Sequence, residues 1–209
     1  MKNAAREKKP DLILLLVTLL LVTVGTVMIY SSSSILAMDR FRDGQLFLKK
    51  QLLFLVLGLL VMVLMTRIPY YKLRKLAWAG IGAAALLLVL IWIPPLGIKA
   101  GGASRWLNLG IFSFQVSELA KVALILFLAH YLTQKVNHVK ELGAGVLTPL
   151  AITGVLVVLI VLQPDFGTTV IIAFITLMMI YLAGGRILHL AGIASLFLPV
   201  AVWLLLHKS

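Results

Sequence analysis

Residues Leu12 to Met38 contain no charged side chain. That run decides which class of structure is open to this chain. About 20 consecutive apolar residues suffice for a helix to cross the hydrocarbon core of a bilayer, so the run holds the first span, expected to end near Tyr30 and Ser31–Ser34. Composition extends the argument to the remaining residues. Of 209 residues, 62% are hydrophobic and 12% charged, and the mean hydropathy is +1.09. A soluble surface needs more charge than this, and one soluble core needs less apolar material. The expectation is an all-α fold, a polytopic bundle of transmembrane helices forming a single domain over residues 1–209.

The spans follow in order. Met1 to Asp11 is a polar head with Lys2, Arg6, Lys8 and Lys9. A basic head and an apolar run also describe a signal peptide, but this run is too long and further spans follow, which favours a retained helix. Gln51 to Thr66 is the second span, and it lengthens if it starts near Phe47 with Lys49 and Lys50 snorkelling to the surface. Leu76 to Ile93 is the third. Its stretch Ala79-Gly80-Ile81-Gly82-Ala83-Ala84 suits close helix–helix approach. Pro94 and Pro95 end it, and Leu96 to Phe114 reads as a glycine-rich loop. Spans four, five and six are placed at Gln115–Leu132, Leu142–Leu162 and Thr168–Leu182, and a seventh at Ile187–Leu206.

The formal net charge is +12. The bases lie in short loops between apolar runs, where they act as topology signals and headgroup contacts and not as a nucleic-acid footprint. With the N-terminus inside, eleven Lys and Arg lie on inner segments and seven on outer ones, which favours that orientation. The Arg105 loop and the Asp165 turn then face the same, outer side. There is no cysteine. The four histidines lie in different segments without metal-ligand spacing, and no motif calls for a cofactor.

Three groups of residues can carry chemistry. Glu118 and Lys121 are three apart inside an apolar helix and so share a face. A charge at the centre of a bilayer helix costs roughly 2.5–3.5 kcal/mol on insertion scales. The pair is read either as an internal salt bridge or as the lining of a polar cavity, or both. Arg105-Trp106 sits among Gly101, Gly102 and Gly110. An Arg fork suits phosphate or pyrophosphate, while Trp alone reads more simply as an interfacial anchor. Asp165, in Gln163-Pro164-Asp165-Phe166-Gly167, reads first as the N-cap of span six and second as an acid facing the outer cavity.

Two stretches carry a family resemblance. Gly101 to Lys121, GGASRWLNLGIFSFQVSELAK, resembles the signature of the SEDS family of shape, elongation, division and sporulation proteins, with Val116 where that family usually has Pro. Gln163 to Thr168, QPDFGT, resembles its second signature, and Tyr30–Ser34 and Phe47–Gln51 are also similar to the family. The resemblance implies a glycosyltransferase of the bacterial cytoplasmic membrane that polymerises lipid II into peptidoglycan strands at its outer face. Its partner would be a class B penicillin-binding protein. Carried over by position, Arg105 and Lys121 are candidates for the substrate pyrophosphate. Glu118 would orient Lys121, Trp106 would line the cavity, and Asp165 would shape or cap it. Such proteins have about ten spans, so these residues correspond to the first seven, with the family's catalytic acid expected beyond Ser209. Two other readings of the same residues are a lipid II flippase and a non-catalytic scaffold for the penicillin-binding protein.

Overall fold

The computed structural model describes residues 11–93, 97–100, 103–108 and 113–195. The basic head before Asp11, Gly101, Gly102, Gly110 and the far half of the expected seventh span lie outside the described residues. The helices group into two compact units, divided between Ile68 and Pro69.

The first unit is a pair of long helices. Helix α1 (Leu12–Phe41) starts on Asp11, whose carboxylate accepts hydrogen bonds from the N–H groups of Ile13 at 3.0 Å and Leu14 at 3.1 Å. These are the donors a helix leaves without internal partners. At its far end Arg42 takes the left-handed conformation, φ 55, and its N–H donates to the Met38 carbonyl at 3.0 Å. Asp43 closes the turn by accepting from the Gln45 N–H and from Lys49 Nζ, both at 2.9 Å. Helix α2 (Leu46–Arg67) returns alongside and buries none of its residues. Apolar surface on this scale has no place in water and suits the interior of a bilayer.

The second unit has a packed core. A short helix α3 (Tyr70–Arg74) leads into α4 (Ala77–Leu90), and then into the strands β1 (Gly97–Ala100), β2 (Ala103–Asn108) and β3 (Ser113–Gln115). Helix α5 (Val116–Gln134) follows directly from β3. A 3₁₀ turn (Val136–His138) and a π-helical turn (Leu142–Leu147) then lead into α6 (Thr148–Val161). Helix α7 (Phe166–Leu182) comes next, and an α8 is described over residues 187–195. Helix α5 is the centre, touching α3, α4, α6, α7 and β2. It buries Val116, Ala120, Ala123, Leu124, Phe127, Leu128, Tyr131 and Leu132, the three-and-four spacing of one helical face. Against it α4 presents Ala77, Ile81, Ala84 and Leu88. The small residues in the 79–84 stretch let the backbones approach: a Cβ on Gly80 would stand 3.9 Å from the Ala123 Cβ. Helices α6 and α7 are joined by a buried Thr153–Thr176 hydroxyl pair at 3.1 Å.

The helical class holds, with one correction. Residues expected to form a loop after Pro95 make a three-stranded antiparallel meander in the order β1-β2-β3, with Ile98 and Gln115 opposite Trp106. The meander is pressed onto the end of α4: a Cβ at Gly97 would fall 2.0 Å from the Ile91 carbonyl oxygen, so only glycine fits. Among the described residues four helical stretches, Leu12–Asp39, Leu46–Arg67, Val116–Gln134 and Leu142–Val161, are long and apolar enough to cross a membrane. Helices α4 and α7 are apolar but shorter.

Candidate functional site

The site is built where the meander, the start of α5 and the 163–165 turn meet. On β2, Arg105 and Leu107 are two apart and so lie on one face of the strand. Leu107 packs on the core, as does Phe114 opposite it on β3. That packing fixes where Arg105 lands. Its Nε donates to the Gln163 carbonyl at 3.3 Å and its Nη2 to the Pro164 carbonyl. Two of the five guanidinium donors are thereby engaged among the described residues. Trp106, partly buried, falls on the other face by strand alternation.

The turn is held from several sides. Gln163 is 3% exposed, and its side-chain amide donates to the Leu88 carbonyl at 2.9 Å. Leu88 lies in the last turn of α4, whose carbonyls have no partners within the helix, so Gln163 supplies one. Asp165 is 8% exposed and caps α7, accepting from the Thr168 N–H at 3.3 Å and the Thr168 hydroxyl at 2.8 Å. The cap reading of Asp165 therefore holds, but the carboxylate does more. Its Oδ2 also accepts from Gln115 Nε2 at 3.3 Å and from Ser117 Oγ at 3.4 Å. Asp165 thus joins the start of α5 to the start of α7. With its oxygens so engaged, its side chain is a structural tie.

Glu118 lies one residue beyond Ser117, in the first turn of α5, where a carboxylate favours the helix dipole. Lys121 Nζ reaches both its oxygens, at 2.9 and 2.8 Å. The internal pairing expected from their spacing is present. The Lys121 side chain is 19% exposed and that of Glu118 54%. The pair is thus open on the carboxylate side, unlike Asp165.

The structure brings Arg105 and Asp165 together through one turn, although they stand on segments 60 positions apart. It couples Glu118 to Lys121. Sequence reasoning did not pick out Gln163, Gln115, Ser117 or Thr168 as partners in this network. The signal that could have found them is that each lies inside or beside one of the two motifs, Gln115 to Lys121 and Gln163 to Thr168. Among the described residues no group of three or more His, Asp or Glu could hold a metal ion.

The sequence matches the FtsW/RodA/SpoVE family, described as cell cycle proteins, over residues 11–209. The chain belongs to that family. A relative in Trichlorobacter lovleyi, named as a probable peptidoglycan glycosyltransferase FtsW, is 37% identical over 209 residues, covering 100% of this chain and 55% of the relative. The stage V sporulation protein E of Bacillus subtilis is 35% identical over 201 residues, covering 96% and 55%. The chain therefore spans about half the length of these relatives. Among solved structures, the family's RodA from Thermus thermophilus matches with a TM-score of 0.59 and 27% identity, covering 85% of this chain and 57% of RodA. A chain from a peptidoglycan synthase complex that coordinates polymerization and crosslinking matches with a TM-score of 0.65 and 29% identity, covering 87% and 53%. This member of the FtsW/RodA/SpoVE family is thus a multi-pass membrane protein of helical-bundle fold.

Proposed function

We propose that the protein polymerises lipid II into peptidoglycan glycan strands, and that these residues supply part of its substrate site. The observation that carries this reading is the Arg105 guanidinium fixed on the 163–164 turn by two of its five donors. In the reaction the 4-hydroxyl of the acceptor sugar attacks the anomeric carbon of the donor. The C–O bond to undecaprenyl pyrophosphate breaks, and a base takes the hydroxyl proton. The leaving group carries growing negative charge, which fixed cations stabilise best because they need no rearrangement. Arg105 and Lys121 are suited to that charge. Glu118 holds Lys121 in place, Trp106 lines the cavity, and Asp165 keeps the turn in shape. None of these five is assigned as the base.

The same reading places the protein in the bacterial cytoplasmic membrane with its N-terminus inside and seven spans in this part. The Arg105 and Asp165 end then faces outward, where lipid II polymerisation occurs. A class B penicillin-binding protein is the proposed partner; the structural neighbour from a peptidoglycan synthase complex supports this.

The test is strand formation from purified lipid II by the full-length protein. Arg105→Ala and Lys121→Ala are expected to abolish strands while the protein still folds and inserts. Arg105→Lys separates charge from anchoring, because Lys cannot bridge two carbonyls with a planar fork. Full activity in both alanine variants would sink the site assignment. The exposed Glu118–Lys121 pair also suits a transport path, so a second reading is a lipid II flippase; that protein would move lipid II between leaflets and make no strands.

A further inference from the structure

The end of the second unit opposite Asp165 collects cations from several elements. Lys72, Arg74 and Lys75 lie in and after α3, Lys135 and Lys140 follow α5, and Arg186 follows α7. All six are exposed. One acid, Glu141, is found among them in the described residues, and His138 Nδ1 already contacts it at 2.8 Å.

Two further observations make this more than a scatter of bases. Arg74 is fixed in place: its Nε donates to His130 Nδ1 on α5 at 3.0 Å. Among the described residues that bond uses one guanidinium donor, the Nε–H, and not those on its terminal nitrogens. Exposed aromatic rings stand beside it. Tyr70 and Tyr71 are the first two residues of the basic helix, and Trp78, 54% exposed, sits edge-on against Phe127 with ring centroids 4.8 Å apart. Tyr and Trp concentrate at headgroup depth in membranes. The apolar side chain of Leu76 next to them is exposed as well.

We propose that this end of the bundle is a binding surface for anionic phospholipid headgroups, centred on Arg74. The fork of Arg74 meets a lipid phosphate, and Lys72, Lys75, Lys135, Lys140 and Arg186 supply the surrounding positive potential. Each basic side chain near an anionic leaflet contributes about 1 kcal/mol, or about fivefold in affinity. The proposal stands apart from glycosyl transfer, since none of these residues belongs to the Arg105–Asp165 site.

The test is native mass spectrometry of the full-length protein extracted from its membrane, titrated with cardiolipin, phosphatidylcholine or tripolyphosphate. Cardiolipin adducts are expected at roughly tenfold lower concentration than phosphatidylcholine adducts. The pair Arg74→Gln with Lys75→Gln is expected to erase that preference. Arg74→Lys keeps the charge but loses the fork, and is expected to retain less than half of it. The pair Lys135→Gln with Lys140→Gln lies in a connecting loop, so folding is not at stake, and it is expected to cost several-fold in affinity. Equal binding of cardiolipin and phosphatidylcholine would overturn the proposal, as would variants indistinguishable from the parent. Tripolyphosphate displacing cardiolipin at equal concentration would also overturn it, by pointing to a soluble polyanion.

Discussion

At one end of the bundle formed by residues 69–195, Asp165 is 8% exposed and its carboxylate accepts four hydrogen bonds from Gln115, Ser117 and Thr168. At the other, Lys72, Lys75, Lys135 and Lys140 extend into the surroundings with one acid among them. The first end uses polar groups to hold backbone segments against each other. The second uses them to face what lies outside the protein. A charge that fixes geometry must be buried and satisfied, whereas a charge that recruits a ligand must keep donors free. Arg105 shares in the first role, placing two of its five donors on the turn.

The comparison is broken most severely by removing Asp165. Asp165→Ala leaves the Gln115, Ser117 and Thr168 donors without their acceptor and uncaps α7. A loss of about 2–4 kcal/mol is expected, read as reduced resistance to denaturant in detergent. Gln163→Leu comes next. It leaves the Leu88 carbonyl without its donor at the end of α4, for about 1–3 kcal/mol in the same measurement. Glu118→Gln is milder, below about 1 kcal/mol, because the Glu118 side chain is 54% exposed and its pair is screened. In the full-length protein that variant is nonetheless expected to slow strand formation, separating activity from stability. At the opposite end, Lys72→Gln with Lys75→Gln is expected to stay within about 0.5 kcal/mol. A large loss there would mean these cations are structural after all, and the contrast would fail.

The smallest effect is in the turn between α1 and α2. The hydrogen bond from Lys49, and then that from the Gln45 N–H, hold the Asp43 carboxyl below its ordinary range. A group lowered on folding stabilises the fold above its unfolded pKa, and the contribution fades as pH falls through the folded value. Lys49→Ala is expected to raise the Asp43 titration toward the ordinary carboxylate value, measured by NMR. An unchanged titration would mean that the contact does not form in solution.

The sequence makes the helices and some of their local chemistry legible. Apolar runs locate α5 to within two residues and the start of α1 at Leu12, because lipid demands length and apolarity together; α1 runs on past the Ser31–Ser34 stretch to Phe41, and α2 begins five residues before Gln51. The Glu118–Lys121 pair and the Asp165 cap are readable because both are local, set by spacing of three and by position before a helix. What escapes is long-range. In α5 the face toward the core and the face toward lipid are both apolar, so periodicity cannot tell Leu124, fully buried, from Ile125, exposed. The meander escapes because its short strands are joined by backbone pairing and interrupted by glycines, with little side-chain alternation to mark them. The partners of Asp165 on β3 and α5 lie 50 and 48 residues earlier, a relation that no local pattern encodes.

The Arg105 anchor has a consequence for biogenesis. Its carbonyl partners come 58 and 59 residues later in the chain, after α5 and α6. Ribosomes add about 5–20 residues each second. For roughly 3–12 s of synthesis, on that rate, a nascent Arg105 waits beside the membrane while two further helices are inserted. The meander can dock fully only once the 163–165 turn has emerged. During co-translational insertion this clasp is therefore expected to close late, after α6, and a ribosome stalled before residue 163 should leave the meander open to protease.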